Sequence, residues 1–299
     1  MDKLKTEFSI KDLENLSGIK AHTIRIWEKR YDLFEPDRTD TNIRKYGSEE
    51  LNKLLNVAYL NKNGIKISKI AELDKTTLEL TVRDLAQAQN NDDHAIQSFK
   101  MAMMNFDQRL FEDTYQMLVR QYDFEHIFYK TFIPLMEELG VLWHTNTIEP
   151  PHEHFISALI TQKLLLQIEK YQRNTPTNNS KLFILFLPDN EIHELGLMFT
   201  NYVLLKEGYQ TIYLGASIPT ACLKTFVSYH HHPIFLAYMT VKPESYTVKR
   251  FLKDFYRKIP PTSGYELYLM GRQAREMNKE FLQPKQSVFY SIPELVESL

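Results

Sequence analysis

Five short apolar segments alternate with helical segments after residue 181, and this alternation limits the possible folds more than any other feature. The segments are KLFILFLPD (181–189), QTIYLGAS (210–217), PIFLAYMT (233–240), YELYLMG (265–271) and SVFYSI (287–292). Helices are predicted between them, at 193–207, 219–230, 244–258 and 272–281. Such alternation indicates right-handed βαβ units around a buried parallel sheet. The pattern predicts a flavodoxin-like, doubly wound parallel sheet over 181–299, with ligands bound at the carboxyl ends of its strands.

The residues before the sheet divide into two helical regions, so the predicted fold class is multidomain, α followed by α/β. A chain of 299 residues is suited to two or three domains. Residues 1–75 mix basic side chains with short helical patterns. Apolar residues recur at helical spacing within 76–172. This spacing predicts a four-helix bundle with a kink near Pro134. The polar stretch QRNTPTNNSK (172–181) is typical of a linker.

Charge and cysteine content exclude several classes of protein. The net charge is −2, so any surface for nucleic acid must be local. The single cysteine, Cys222, excludes an intrachain disulfide framework and a cysteine-based zinc finger, and it fits a reducing compartment. The start, MDKLKTEFSI, lacks the apolar run of a secretory signal, and no run reaches the roughly 20 apolar residues that span a bilayer. We therefore expect a cytoplasmic protein without a membrane partner.

The amino-terminal region has the pattern of a helix-turn-helix followed by a hairpin. Two short helices are predicted around the turn SGIKAHT, with Thr23 as the N-cap of the second. EPDRTDTNIRKYGSEE then predicts a β-hairpin, or wing. Basic side chains on a helix start and a hairpin can bind phosphates and base edges. Spacing alone leaves a second interpretation open, a small helical domain with a solvated charged face.

The stretch HTIRIWEKRYDLFEPDRTDTNIRKYGSEEL resembles the winged-helix domain of the MerR family of transcription regulators, and the resemblance covers residues 7 to about 72. It implies binding to a double-stranded DNA operator. The residues implied in DNA binding are Thr23, Arg25, Trp27, Lys29, Arg30, Tyr31, Arg38, Arg44 and Tyr46. The family often has glycine in the wing turn, where this chain has TDTNI. Asn42 can adopt a left-handed turn, so we expect the wing to be kept.

Two histidines flank a carboxylate in PPHEHF, close behind the histidine of LWHT. From the residues alone, His152 and His154 are interpreted as exposed residues of a helix start. A metal site is disfavoured because no carboxylate and histidine of this predicted helix have i, i+4 spacing. However, Trp143, nine residues and Glu153-His154 resemble the helical bundle of cobalamin-dependent light-sensing regulators of the CarH and LitR type. The resemblance implies that Trp143 and the Glu153-His154 pair cap adenosylcobalamin, and that His144 can ligate cobalt after photolysis.

The loop after the first predicted strand contains EIHELG, with Glu191, His193 and Gly196. It resembles the Asp/Glu-x-His-x-x-Gly signature of the vitamin B12-binding domain. The resemblance implies that His193 ligates cobalt from below, in place of the dimethylbenzimidazole base of the cofactor. Glu191 or Asp189 can orient the imidazole ring. Gly196 lets the following helix approach the corrin and the nucleotide tail closely.

Two departures from that family lie near the expected site of the nucleotide tail. Its Ser-x-Leu element corresponds to AYM, with Ala237 in place of the serine and Tyr238 next to it. Its Gly-Gly corresponds to Met270-Gly271. Ala237 and Gly271 are the expected cofactor-binding positions, but Tyr238 and Met270 add volume there. Either the tail binds in a shifted pose, or the pocket has lost cobalamin.

These features predict a DNA-binding transcription regulator, not an enzyme, that senses adenosylcobalamin and light through cofactor-dependent assembly as a dimer or tetramer. One alternative is a MerR-type regulator whose sensor has lost cobalamin and responds to a protein partner or another ligand. Another is a subunit of a corrinoid methyltransferase or mutase. The DNA-binding region, and the absence of a barrel for substrate in the sequence pattern, argue against that enzyme. The operator and the sign of regulation stay open.

Overall fold

The computed structural model describes residues 7–89 and 92–299, and within these ranges not the side chains of 83, 86–89, 179 and 180. The first six residues of MDKLKTEFSI lie outside the described residues. Part of the expectation of no secretory signal depends on them. The chain divides into two compact units, Met1–Ile160 and Thr161–Leu299. The division into three domains, 1–75, 76–172 and 181–299, stays a prediction.

The amino-terminal region forms the predicted helix-turn-helix and wing. Its elements are α1 (Ile10–Ser17), α2 (Ala21–Tyr31), β1 (Asp37–Arg38), β2 (Arg44–Lys45), α3 (Ser48–Lys62) and α4 (Ile67–Ile70). A capping box between Ser9 and Asp12 starts α1, and Gly18, at φ +74°, ends it. The prediction that Thr23 caps α2 is wrong, because α2 begins two residues earlier and its N-cap residue is Lys20.

The middle of the chain is helical, as the spacing of apolar residues predicts. Its elements are α5 (Lys75–Gln89), α6 (Asp92–Asn105), α7 (Gln108–Val119), α8 (Phe124–Ile127), α9 (Ile133–His144) and α10 (Pro150–Gln172). A π-helical turn, Phe128–Phe132, joins α8 to α9 directly before Pro134, where the sequence predicts a kink. Proline has no backbone N–H to continue the regular helical bonding, so the distortion lies where it is expected. Aromatic side chains fill the helical core, with the ring of Phe99 lying 4.8 Å from that of Phe111.

The second unit contains a five-stranded parallel sheet. Its strands are β3 (Asn178–Pro188), β4 (Tyr209–Ile218), β5 (Ile234–Tyr238), β6 (Glu266–Met270) and β7 (Gln286–Val288). They pair in the order β4-β3-β5-β6-β7, the order of a flavodoxin-like, doubly wound sheet, so this prediction is confirmed. The helices between and after them are α11 (Leu195–Lys206), α12 (Lys224–Tyr229), α13 (Val248–Lys258), α14 (Arg272–Glu276) and α15 (Ile292–Glu297).

The two faces of strand β5 have different neighbours, and this difference affects the site. Ala237 is fully buried in a hydrophobic cluster with Leu252 and Phe255 of α13. Tyr238 follows it and lies against Gly196, at the start of α11. Successive side chains of a strand point to opposite faces of its sheet. Ala237 and Gly196 are therefore separated by the sheet. Separately, within 7–89 and 92–299 no helix is long and apolar enough to cross a membrane.

Candidate functional site

The buried carboxylate of Glu191 joins the loops that follow β3 and β5. Its Oε1 accepts hydrogen bonds from His193 Nδ1 at 2.6 Å and from the backbone N–H groups of Ile192 and His193 at 2.8 and 3.0 Å. Its Oε2 accepts from three consecutive backbone N–H groups after β5, those of Thr240 (3.0 Å), Val241 (2.6 Å) and Lys242 (2.7 Å). Six donors thus converge on one side chain that is fully buried.

These hydrogen bonds keep Glu191 ionised. Burial alone would raise its pKa, but the bonds from the His193 ring and from the N–H groups of Lys242, His193 and Val241 lower the pKa to about 2. An ionised carboxylate can only accept, so the proton of the neutral imidazole lies on Nδ1 of His193. The lone pair then lies on Nε2, the atom that can ligate a metal ion. Of the two candidate carboxylates, Glu191 therefore orients the ring, whereas Asp189 accepts only a 3.4 Å bond from Ser217.

Half of the His193 side chain is exposed, because its loop precedes α11 at the carboxyl end of the sheet. This is the crevice where doubly wound sheets bind ligands. A buried carboxylate behind an accessible imidazole could present that imidazole to one metal ion such as cobalt. No other cluster competes for this role, since the described part of the chain has no group of three or more His, Cys, Asp or Glu side chains that could hold a metal ion.

Space beside Gly196 is already filled. A Cβ atom built on Gly196 would lie only 2.5 Å from ring carbons of Tyr238 and 2.6 Å from its hydroxyl. The bare backbone of the glycine therefore accommodates this ring. The His193–Glu191 pair could hold cobalt, but this arrangement leaves no slot for the nucleotide tail of cobalamin between Gly196 and Tyr238.

Two expected cofactor-binding positions, Ala237 and Gly271, have structural roles. Ala237 is completely buried in the core on the other face of the sheet, so its interpretation as a cofactor contact is wrong. Gly271 has φ +92°, and a Cβ there would lie 2.4 Å from the carbonyl oxygen of Met239. Glycine is thus needed at 271 for the close approach of two backbone segments. Whether Gly271 also contacts a cofactor stays a prediction.

The expected capping residues lie around the loop between α9 and α10. Trp143 is 45% exposed, and His144, the last residue of α9, is also exposed. In the first turn of α10, Glu153 accepts a 2.5 Å bond from the Ser157 hydroxyl and lies 3.2 Å from Nδ1 of the exposed His154. These four positions are accessible, as a ligand contact requires, and their role stays a prediction.

His152 differs from this group and from its sequence-based interpretation. Its side chain is fully buried and its ring packs on Phe106, with 4.9 Å between ring centroids. Its Nδ1 accepts from the backbone N–H of Glu149 at 3.2 Å, which supports the start of α10. The expectation that His152 lies on a wet surface is therefore wrong. It is a residue of the helical core.

The second helix of the helix-turn-helix exposes the predicted basic side chains. Arg25, Lys29 and Arg30 are exposed on α2, while Thr23 and Tyr31 are partly buried. The Arg30 guanidinium lies 5.4 Å from the centre of the Tyr31 ring. This surface can bind phosphates without a positive net charge on the whole chain.

Two residues implied in DNA binding belong to the core of this domain. Trp27 is 6% exposed and Tyr46 is completely buried. Neither can present its side chain to DNA in this structure, so their interpretation as DNA contacts is wrong. The Tyr46 hydroxyl donates to Glu28 at 3.1 Å, and the same carboxylate accepts from Arg44 Nε at 2.9 Å. Glu28 thereby fixes the wing to α2, a role that the sequence did not reveal.

The wing turn keeps its conformation without glycine. Asn42 adopts φ +62°, which confirms the expected left-handed turn. Its side-chain oxygen accepts a 2.6 Å bond from the exposed Arg38 guanidinium. The backbone N–H of Thr39 donates to the carbonyl of Ile43 at 2.9 Å and closes the turn. Arg38 is therefore held beside the turn of the wing.

Two family models match the chain. Residues 8–76 match the MerR HTH family regulatory protein, and residues 95–166 match the B12 binding domain. The first match covers the helix-turn-helix, wing and α3–α4. The second covers the helices from α6 into α10, including Trp143, Glu153 and His154. The chain combines a MerR-type regulatory domain with a B12-binding domain.

Comparison with known proteins agrees with this combination. The HTH-type transcriptional repressor CarA of Myxococcus xanthus is 26% identical over 271 residues, which cover 89% of this chain and 87% of CarA. The repressor CarH of the same organism is 25% identical over 210 residues, or 68% of this chain and 69% of CarH. This chain is homologous to both. The Methanosarcina barkeri monomethylamine corrinoid protein shares the fold, with a TM-score of 0.56 at 13% identity over 70% of this chain and 98% of that protein.

Two polar contacts connect the MerR-type domain to the B12-binding helices, and no pattern in the sequence predicts either. Lys100 of α6 is buried, and its ammonium donates to the carbonyl of Leu16 at 3.0 Å and to Glu138 at 2.7 Å. Asn15 Nδ2 donates to the Thr147 hydroxyl at 2.9 Å. The end of α1 is thus bonded both to the helices and to the loop that follows Trp143 and His144.

Proposed function

We propose that this MerR-type regulator senses adenosylcobalamin, with His193 as the lower cobalt ligand. The observation that carries the proposal is the contact of the accessible His193 ring with the buried, ionised Glu191. When bound, the cofactor supplies a cobalt ion that can accept an imidazole and a cobalt–carbon bond that light can break. Glu191 holds the Nδ1 proton and directs Nε2 outward, so the ligand atom is oriented before the cofactor arrives.

Trp143, Glu153 and His154 are proposed to contact the adenosyl group, and His144 is proposed as the upper cobalt ligand in the illuminated protein. The exposure of Trp143 supports this assignment, since a large aromatic ring at a helix end is free to pack on a ligand. The contact between Glu153 and Ser157 fixes the carboxylate in the first turn of α10.

The test of cofactor binding uses the full-length protein. The protein is incubated in the dark with adenosylcobalamin, desalted, and its absorption spectrum is recorded before and after green light. We expect a retained cobalamin spectrum that light changes, and loss of retention in His193→Ala. The control is His231→Ala, an exposed histidine in the loop before β5. A wild-type protein without cobalamin absorption after desalting contradicts the proposal.

We further propose that the exposed basic residues of α2 and the wing bind a double-stranded operator, and that cofactor state changes self-association in the cytoplasm. Arg25→Ala is expected to reduce the slope of log K against log salt by about 1, as for the loss of one phosphate contact. Lys62→Ala, at the far end of α3 and paired with Asp93, serves as the control. Light scattering in the dark and after illumination measures the change of mass.

The packing of Tyr238 on Gly196 favours one alternative, a MerR-type regulator whose sheet no longer binds cobalamin and whose signal is a protein partner or another ligand. The homology of this chain to two repressors supports a regulatory role over an enzymatic one. The desalting experiment distinguishes the two proposals. Only a cobalamin-sensing regulator retains a cobalamin spectrum that depends on His193.

A further inference from the structure

The crevice at the carboxyl ends of β3 and β5 has a defined back wall. Glu191, after β3, bonds to three N–H groups after β5, so the two loops are fixed to each other. Tyr238 is the last residue of β5, and Gly196 lies in the first turn of α11. Their contact closes the crevice directly behind the loop that carries His193.

Removal of the Tyr238 ring from this place has a physical cost. Burial raises the pKa of the Tyr238 hydroxyl, so the side chain is a neutral phenol at physiological pH. A neutral aromatic ring packed on the Gly196 backbone gains from being removed from water. Any ligand group that enters beside Gly196 must first displace the ring and return this apolar surface to water.

The lower face of a corrinoid carries both the axial position that His193 would occupy and, in cobalamin, the nucleotide with its bulky base. A protein histidine can take the axial position only if that base moves elsewhere. With His193 as the cobalt ligand, the displaced nucleotide would need space near the loop that carries His193, and beside Gly196, three residues later, that space is filled by Tyr238. The His193–Glu191 pair would therefore bind the cobalt of a complete cobalamin, whereas the closed crevice would exclude its nucleotide.

We propose that Tyr238 is a specificity-determining residue, which makes this site prefer corrinoids of the cobinamide class, those without the lower nucleotide. This inference rests on the proposed role of His193 as a cobalt ligand. Tyr238 does not touch the metal. It acts by occupying the volume that a nucleotide base needs. It does not alter the contact between His193 and Glu191.

The test compares adenosylcobalamin with adenosylcobinamide, which have the same upper ligand and differ in the lower nucleotide. Dissociation constants are measured by absorption titration of the full-length protein in the dark. We expect the wild type to bind adenosylcobinamide at least about tenfold more tightly. In Tyr238→Ala this preference should disappear or reverse, because the base gains room beside Gly196. Tyr246→Ala removes a tyrosine that is 80% exposed and should leave the ratio of affinities unchanged.

The outcomes distinguish this inference from the function on which it rests. Equal affinities of the wild type for the two corrinoids, or tighter binding of adenosylcobalamin, overturn the role of Tyr238 and leave the sensor intact. This comparison needs no variant, so it remains decisive if Tyr238→Ala does not fold. If neither corrinoid binds to the wild type or to a folded Tyr238→Ala, both the cobalamin sensor and the inference are wrong.

Discussion

At the scale of single residues, Glu191 has the most connected side chain of the candidate site. It is an acceptor for the ring that it orients and for the backbone of a neighbouring loop, so it combines a chemical role with a structural one. A carboxylate can satisfy all of these donors because both of its oxygens only accept. An amide of the same shape cannot, since one of its two ends donates.

We predict that Glu191→Gln weakens corrinoid binding by roughly 10- to 100-fold, as for the loss of a partner that orients a metal-ligating histidine. It should also lower the free energy of unfolding by at least about 2 kcal/mol, since N–H donors in the buried network lose their acceptor. Absorption titration and urea denaturation measure the two effects. Asp189→Asn changes the exposed carboxylate nearby and should alter neither quantity; if it matches Glu191→Gln, the assignment of Glu191 is wrong.

Single residues also show where sequence reasoning succeeds and fails. The left-handed turn at Asn42 could be predicted because it depends on the local backbone preference of asparagine. The resemblance assigns Trp27 and Tyr46 to DNA because family patterns give positions in a sequence, not the direction of side chains. Both point into the core. Ala237 was misplaced for a related reason, since a shift of one residue along a strand changes the face of the sheet.

At the scale of elements, buried apolar strands are the best predicted part of the fold. The sequence predicts all five: the inner strands β5 and β6 are largely buried and form apolar runs between turns, whereas the edge strands β4 and β7 are mostly only partly buried. The start of β3 was missed. It begins at Asn178, within the predicted linker, and pairs there with Tyr209 of β4 although its residues are polar. Only 173–177 connect α10 to the sheet. Strand pairing across distant residues leaves no local signal in such a segment.

The start of α2 depends on a carboxylate from the preceding helix. Glu14 of α1 accepts from the backbone N–H of Ala21 at 3.0 Å. That bond, followed by the contact with Lys11, lowers the pKa of Glu14 from 4.5 to about 2. Because the folded-state pKa is depressed, the stabilisation is complete above about pH 4.5 and is lost as the pH falls toward 2.

We therefore predict that Glu14→Gln is less stable than the wild type at neutral pH, and that the difference narrows as the pH falls below 4.5. Thermal unfolding of both proteins between pH 7 and pH 3 measures it. Glu49→Gln changes a carboxylate that is 84% exposed and pairs only with the exposed Lys75, so its melting curves should follow the wild type. A gap between wild type and Glu14→Gln that is constant over the whole range would contradict this account.

Helix α6 contributes Lys100, the buried charge that joins it to α1. The ammonium bonds to the Leu16 carbonyl and to Glu138, whose side chain is 46% exposed. We predict that Lys100→Met lowers the free energy of unfolding by about 2 kcal/mol, because the carbonyl loses a charged donor. Urea denaturation measures the loss. Lys62→Met removes the ion pair with Asp93, in which both side chains are exposed, and should cost about 0.5 kcal/mol or less. If the two variants lose the same free energy of unfolding, Lys100 contributes no more than a surface cation.

At the scale of the whole molecule, the question is how a ligand event reaches the DNA-binding surface. The MerR-type domain and the B12-binding helices up to Ile160 form one compact unit. Within it, α1 packs against α2, the helix that carries Arg25, and is bonded to the loop after Trp143 and His144. A signal is transmitted only if the two states of the ligand site have different contacts to such an element.

The Asn15–Thr147 hydrogen bond is the contact that we expect to transmit cofactor state to DNA. Thr147 is fully buried in the loop after α9, so Thr147→Val keeps its shape but removes the acceptor of Asn15 and the 2.9 Å contact with the Thr145 hydroxyl. We predict that the ratio of DNA affinities with and without adenosylcobalamin in the dark falls by roughly 2- to 30-fold, while cofactor retention is unchanged.

Fluorescence anisotropy with a fragment selected by the protein from random DNA measures both affinities. Thr145→Val removes the same contact with Thr147, together with bonds to the Val141 and Leu142 carbonyls of α9, but leaves the Asn15 bond, and it should preserve the ratio. If the two variants behave alike, the loop communicates with α1 by another route, and the Lys100 contact becomes the element to test.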